Sequence, residues 1–342
     1  MDTTYKEIQD TFNALTKTVK YIDEKWSEIE AFIRNKKRFI FVGCGSSYSI
    51  AKSYAAICNM SAGVPASALA AGDILIHAAR YKKMVSDAAV VFISRSGRTS
   101  EILKALDALL EQKISFSVLS VIAAKDTPLA EKSELSLETP WAFDESVCQT
   151  RCVTNFYFMG AYIFAKYTND SAVLDDLKYL AHSGSGFLAN AEKVAKELAP
   201  KDWNRAVVLA DAELEGLAEE GALVFKEVCQ LPANYYHVLD VRHGPIVLIG
   251  QHTLNILCLG TCGDFERGLL GDIKKKSDFV VAFTDNSIDA DGVTSISFGR
   301  ELTHIARGVP FIILCQLIAY EKSKETGANP DQPTGLDPWI AL

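Results

Sequence analysis

The chain has 342 residues, of which 49% are hydrophobic and 23% charged, and its formal net charge is −8. That composition suits a globular protein with a full core, and the length suits about two domains. The acidic balance argues against a nucleic-acid or anionic-membrane surface, so an anionic ligand has to be held by local donors.

Apolar residues recur at helical spacing over residues 3–34 (Ile8, Phe12, Leu15, Val19, Ile22, Trp26, Ile29, Phe32), which predicts one or two amphipathic helices. No apolar core with basic flanks opens the chain, so a cytoplasmic rather than a secreted protein is expected. Strand signals then alternate with helical ones. Strands are expected at 38–42, 89–93, 114–122 and 134–138, and helices at 47–60, 99–112 and 151–167. Such alternation implies parallel βαβ units with helices on both faces. Residues 170–200 read as amphipathic helix with weak punctuation at Ser183-Gly184-Ser185-Gly186, and form the expected connection between halves. The pattern then restarts: strand 205–210, helix 213–231, strand 253–259, helix 264–275, strands 278–283 and 293–298, helix 299–325. Within that last helix the apolar run 309–315 is far too short to span a bilayer. The expected organisation is therefore a helical segment at 1–34, a first domain at 35–168, a helical connection at 169–200 and a second domain at 201–342.

Two segments of the first half carry the strongest signal. Phe39-Ile40-Phe41-Val42-Gly43-Cys44-Gly45-Ser46-Ser47 and Val90-Val91-Phe92-Ile93-Ser94-Arg95-Ser96-Gly97-Arg98-Thr99 are apolar runs that end in glycine and hydroxyl residues and then open a helix. In a parallel sheet both turns lie at carboxyl strand ends beside helix N-termini, where unpaired N–H groups gather an anion. Ser94, Ser96 and Thr99 can converge on one oxyanion, and ordinary capping is the alternative for such residues. Arg95 and Arg98 add charge there, or are solvated. The second half has Leu209-Ala210-Asp211-Ala212 where the first has Val42-Gly43-Cys44-Gly45. Its glycines are gone, so one phosphate site per chain is expected, in the first half.

Eight cysteines occur, mostly in apolar surroundings. Cys148/Cys152 and Cys258/Cys262 share a four-residue step without a histidine at zinc-like spacing, so reduced, buried thiols and no metal are expected. Glu227 sits in an apolar helical stretch (Leu223, Val224, Val228, Leu231), where a carboxylate is either paired or kept for proton transfer. Lys226 and Arg242 are the candidate partners. Sixteen residues on, His243 precedes Gly244-Pro245, a turn signal. A glutamate base and a histidine donor–acceptor suit the enolisation of a sugar, and a paired glutamate with a turn histidine is the alternative.

In order along the chain, Gly43-Cys44-Gly45-Ser46-Ser47, Ser94-Arg95-Ser96-Gly97-Arg98-Thr99, Lys226-Glu227, Arg242-His243-Gly244-Pro245 and Asp331-Gln332-Pro333 resemble the sugar isomerase (SIS) family. The likeness runs over residues 30–342 and is nearest to the isomerase half of glucosamine-6-phosphate synthase and to stand-alone phosphosugar isomerases and deglycases. The resemblance implies an α/β fold of two tandem flavodoxin-like SIS domains, parallel sheets flanked by helices, usually dimeric. It implies that Ser94, Ser96, Thr99 and the backbone at Arg95 hold the sugar phosphate, with Ser46 and Ser47 lining the same pocket. Val147 and Gln149 match a segment that touches the sugar. Glu227 matches the enolisation base. His243 matches the ring-opening histidine, which in the family comes from the neighbouring subunit, so the active sites of a homodimer or higher homo-oligomer would be shared. No cofactor is implied.

Two departures shape the expected activity. The synthase begins with a glutaminase domain whose cysteine nucleophile stands at its start, whereas this chain begins Met1-Asp2 and runs into a helix, so glutamine hydrolysis is not expected. The synthase also has a lysine near its C-terminus that forms an imine with the sugar. Here Pro338 stands at that position, followed by Trp339, and the last lysine is Lys324. A substrate that carries its own amine needs no such lysine. The resemblance therefore implies an enzyme acting on an amino-sugar or fructosamine 6-phosphate, a deglycase or deaminase-isomerase. Plain aldose–ketose isomerisation of a sugar 6-phosphate and non-catalytic sugar-phosphate sensing are the alternatives. The mixed charge of the N-terminal helix argues against a DNA-binding sensor. His237 and Asp240 read as surface loop residues.

Overall fold

The computed structural model describes residues 2–286, 288 and 290–337. Three helices open it: α1 (Thr3–Gln9), α2 (Thr11–Glu24) and α3 (Trp26–Ile33). One or two were expected, but breaks at Asp10 and Lys25 divide the periodic stretch. The first sheet and its helices follow as β1 (Phe39–Gly43), α4 (Ser46–Ile57), β2 (Ala66–Ala70), α5 (Ala71–Val85), β3 (Ala89–Ser94), α6 (Ser100–Leu110), β4 (Ser117–Ile122), α7 (Pro128–Glu131), β5 (Leu135–Glu138) and α8 (Arg151–Thr168). Helices α9 (Ser171–Ser183) and α10 (Ser185–Leu198) meet at Gly184, where the sequence has its Ser-Gly punctuation. The second sheet is built from β6 (Arg205–Leu209), α11 (Glu215–Val228), β7 (Ala233–Tyr236), β8 (Thr253–Gly260), α12 (Asp264–Lys274), β9 (Val280–Thr284), β10 (Val293–Ile296) and α13 (His304–Thr326).

The chain folds as two compact units. One comprises residues 10–144 and 151–182, the other residues 2–9, 145–150 and 183–336. Each holds a five-stranded, all-parallel sheet, in the orders β2-β1-β3-β4-β5 and β7-β6-β8-β9-β10. These are one topology used twice, the flavodoxin-like order, with β6 in the role of β1 and β8 in the role of β3. The tandem α/β fold expected from the sequence is present.

The central strands read clearly in the sequence because parallel strands covered on both faces become continuous apolar runs. β1, β3, β8 and β9 are buried at every position. The edge strands β2 and β7 are half-buried, with sequences ASALA and ANYY, and no apolar run announces them. In the first unit Ile40, Val42, Val90, Phe92, Ile102 and Leu106 form one core face. In the second, Val207, Leu209, Leu257, Leu259, Leu269 and Ile273 do the same. Each such side chain contributes about 1.5–3 kcal/mol on burial. Gly160 lets α8 close against α4: a Cβ there would fall 2.1 Å from the Tyr54 ring, whose hydroxyl donates to the Phe156 carbonyl.

Candidate active site

In the first unit, β1 and β3 are neighbours, paired from Phe39↔Ala89 to Val42↔Phe92, while their outgoing connections lead to β2 on one side and β4 on the other. Their carboxyl ends thus flank the switch point, where open parallel sheets take ligands. At the end of β1 the backbone packs so closely on α4 that a Cβ on Gly43 would fall 2.4 Å from the Ser47 backbone. Gly45 turns with a φ of +52°, and α4 starts at Ser46 with Ser46 and Ser47 buried in its first turn.

At the end of β3 the side chains curl around a second turn. Ser94 Oγ lies 3.2 Å from Thr99 Oγ1 and accepts the Gly97 N–H at 3.1 Å. Ser96 Oγ accepts the Arg98 N–H at 3.2 Å. Gly97 has a φ of +61°, and a Cβ there would fall 2.4 Å from Thr127 Oγ1. Thr99 stands at the N-cap of α6, yet its side chain makes no capping bond. Ordinary capping therefore does not account for Thr99. Of the two arginines, Arg95 is buried, not solvated; its Nη1 donates to the Asp144 carbonyl at 3.4 Å and its guanidinium sits 5.9 Å from the Phe143 ring centre. Arg98 Nη2 reaches the Asp126 carbonyl at 3.0 Å. The donors the turn itself offers are accordingly hydroxyls and backbone amides. Burial, reinforced by the neighbouring Glu101 carboxylate that accepts from it, pushes the Cys44 thiol up to about 12, so it stays protonated at neutral pH.

The second unit carries the remaining candidates. Glu227 lies half-buried in the last turn of α11. Arg242, one of its candidate partners, is instead held by Asp272 through bonds of 3.0 and 2.8 Å, and Lys226 is exposed. His243 is exposed after a short helical turn at 240–242, next to Gly244 with a φ of +125° and to the exposed apolar residues Leu239, Val247 and Leu248. His237 faces Asp211 at 3.4 Å and Glu215 at 3.5 Å. It is an exposed loop residue beside these two acids. Val147 and Gln149 lie on the segment 145–150. The Val147 N–H donates to the Asp331 carbonyl at 3.0 Å. Gln149 Oε1 is buried and has no hydrogen-bond partner among the described residues, which leaves an acceptor for a ligand hydroxyl. Pro338 and Trp339 lie outside the described residues.

The second sheet repeats the geometry of these turns but fills it. Ala212 keeps a φ of +54°, the counterpart of Gly45. After β8, the Gly263 N–H at the start of α12 donates to Glu266 Oε2 at 2.6 Å, so the helix's own carboxylate occupies the place of an external anion. Burial, and then Asp211 nearby, hold the Glu266 carboxyl above its usual range despite that bond. Gly260, with a φ of +48°, is pressed against the Arg307 guanidinium, which clasps Asp285 at 2.8 and 2.5 Å. A Gly-x-x-Glu step at a helix start was the available sign of this self-capping, and sequence reasoning passed over it.

The model of the SIS domain family matches residues 32–162, the stretch that holds both hydroxyl-lined turns. The glutamine–fructose-6-phosphate aminotransferase (isomerizing) of Methanothermobacter thermautotrophicus is 23% identical over 338 residues, which is 97% of this chain and 56% of that protein. The chain spans about half the length of the curated relatives it matches. Among solved structures, glucosamine-6-phosphate deaminase from Thermotoga maritima superposes with a TM-score of 0.79 at 22% identity, covering 100% of both chains. Tagatose-6-phosphate ketose/aldose isomerase from Escherichia coli superposes with a TM-score of 0.84 at 21% identity, covering 99% of this chain and 97% of that one. These likenesses establish a shared fold of two tandem α/β units. Among the described residues, no helix is long and apolar enough to cross a membrane.

Proposed function

We propose that this chain is a phosphosugar-processing SIS enzyme that acts on an amino-sugar or fructosamine 6-phosphate. The observation that carries the reading is the pair of hydroxyl-lined turns at neighbouring strand ends, Ser46-Ser47 after β1 and Ser94–Thr99 after β3. A phosphate seated there on neutral donors would anchor the sugar and turn remote binding energy into orientation. Glu227 takes the proton from one carbon of the C1–C2 pair and returns it to the other. For a fructosamine phosphate this converts the C2 ketone and C1 amine into a C1 imine and a C2 hydroxyl. Water then adds to the imine carbon, the C–N bond breaks, and the amine leaves from the aldose 6-phosphate. His243 assists ring opening. Val147 and Gln149 line the sugar, and the free acceptor on Gln149 suits one of its hydroxyls.

Two further observations favour a substrate-borne amine. Lys324 is paired with Glu321 at 2.8 Å, and Lys322 is spent on the Ala199 and Lys201 carbonyls at 2.9 Å each. Neither is left as an imine-forming group. The exposed histidine among Leu239, Val247 and Leu248 suits a homodimer in which His243 serves the partner's site. The test is turnover of fructosamine, glucosamine, galactosamine and plain hexose 6-phosphates, read for amine release and for sugar product. Amine release from one member is expected. A second reading is aldose–ketose isomerisation without C–N cleavage, the activity named for the tagatose-6-phosphate ketose/aldose isomerase that shares this fold, and interconversion without amine would select it. Binding without turnover would make the chain a sugar-phosphate sensor.

A further inference from the structure

Residues 2–9 are built into the second unit through a set of bonds that converge on the segment bearing Val147 and Gln149. Glu7, the one acidic residue of α1, is buried to 4% exposure. Its Oε1 accepts the N–H of Glu145 at 2.6 Å and of Ser146 at 3.3 Å, and its Oε2 accepts from the Ser146 hydroxyl. Asp331 closes the set from the other side. Its carboxylate takes the N–H of Thr3 at 2.9 Å and of Thr4 at 2.7 Å, and its backbone carbonyl takes the N–H of Val147. Three consecutive amides of the segment, 145 to 147, are thus fixed by two acidic residues that lie more than a hundred positions away in sequence. Two residues beyond Val147, the Gln149 oxygen is left buried and open.

We infer that Glu7 is a positioning residue: through the backbone of 145–146 it sets the register in which Val147 and Gln149 meet the sugar. A buried carboxylate with three donors on it makes an energetic commitment that helix formation alone does not need, since α1 already receives its N-terminal cap from Asp331. The three donors named above belong to a segment of irregular backbone, whose amides need partners from outside it. A loop that must present side chains to a ligand needs this kind of support, because it has no ladder of its own to hold it. The role of the segment in substrate contact rests on the function proposed above, whereas the holding of its backbone does not.

The test pairs hydrogen exchange with kinetics on the full chain. In Glu7→Ala, the amides of 145–147 should exchange faster while those of β3 and the 94–99 turn keep their protection. With the best sugar 6-phosphate of the panel, kcat/KM should fall roughly ten- to a hundredfold, the scale of a misplaced contact group. Glu7→Gln, which keeps an oxygen acceptor, should recover most of the loss. The decisive comparison is with Gln149→Ala: the double variant should be no worse than the worse single one, because both act through the same contact. Losses that multiply would overturn the assignment by making Glu7 a general stabiliser. Unchanged exchange at 145–147 would overturn it outright. Should Glu7→Ala not fold, Ser146→Ala removes a bond from the other end of the contact and must show the same exchange pattern and the same non-additivity. If the wild type neither binds nor turns over any sugar phosphate, the functional reading falls, and the exchange result still decides whether Glu7 holds the segment.

Discussion

Gly97 carries more structural demand than any other residue of the β3 turn. Its φ of +61° lies in the left-handed region and Thr127 stands where its Cβ would be, so Gly97→Ala should cost about 2–5 kcal/mol from backbone strain and overpacking together. Gly63 has nearly the same φ, +63°, with open space around it, and Gly63→Ala should cost about 1–2 kcal/mol. Urea unfolding of the two variants separates them, and equal losses would show that Thr127 gives way freely. At Glu227 the expected effect is catalytic: Glu227→Gln should lower kcat by about 10²–10⁴-fold while sugar-phosphate binding survives, and full turnover in that variant would sink the assignment. Cys44, its thiol pushed up to about 12, should resist iodoacetamide at pH 7 in the folded protein and react once unfolded. The two turns at the ends of β1 and β3 were legible in sequence because backbone geometry restricts the residue types at each place. Glu7 was not, because burial of an acid depends on which distant segment offers it donors.

Among the elements, α1 shows how a short helix is fastened by charge. The Asp331 carboxyl is raised by burial but lowered more by the amides and hydroxyls of Thr3 and Thr4, and ends below its ordinary value of 3.8. A carboxyl held lower in the folded chain stabilises it at any pH above the unfolded value, and that stabilisation is lost as pH falls through the folded value. The urea midpoint should therefore drop steeply below about pH 4 in the wild type. Asp331→Asn should start lower at pH 6 and lose less on acidification. A variant with the wild-type pH profile would show that the fastening lies elsewhere. The same scale explains what could be read in advance. Buried parallel strands such as β3 and β8 stand out as apolar runs, whereas β2, with one large apolar residue in ASALA, is recruited by the strand beside it. The N-terminal helices were visible as one periodic stretch, but not their breaks at Asp10 and Lys25.

At the scale of the whole molecule, the restart of the α/β pattern made the duplication legible, while the assignment of residues 2–9 and 145–150 to the second unit rests on long-range hydrogen bonds with no sequence signature. The proposed sharing of sites between subunits has a direct test. Glu227→Gln and His243→Ala homodimers are each expected to be inactive. Unfolded together and refolded, they should regain about a quarter of wild-type activity, since half the dimers are mixed and each mixed dimer rebuilds one intact site. No regain would place Glu227 and His243 of one site on the same chain. The Glu266 carboxylate seated on the Gly263 amide bears on a different observable. A duplicated fold could offer ligand to both halves, but here one half comes with its counter-ion built in and covalently attached. Ligand-induced stabilisation should accordingly follow a single-site law, rising at saturation by about 1.4 kcal/mol per chain for each tenfold of sugar phosphate. Glu266→Ala, by vacating the second seat, is the change that could steepen that slope towards twice its value.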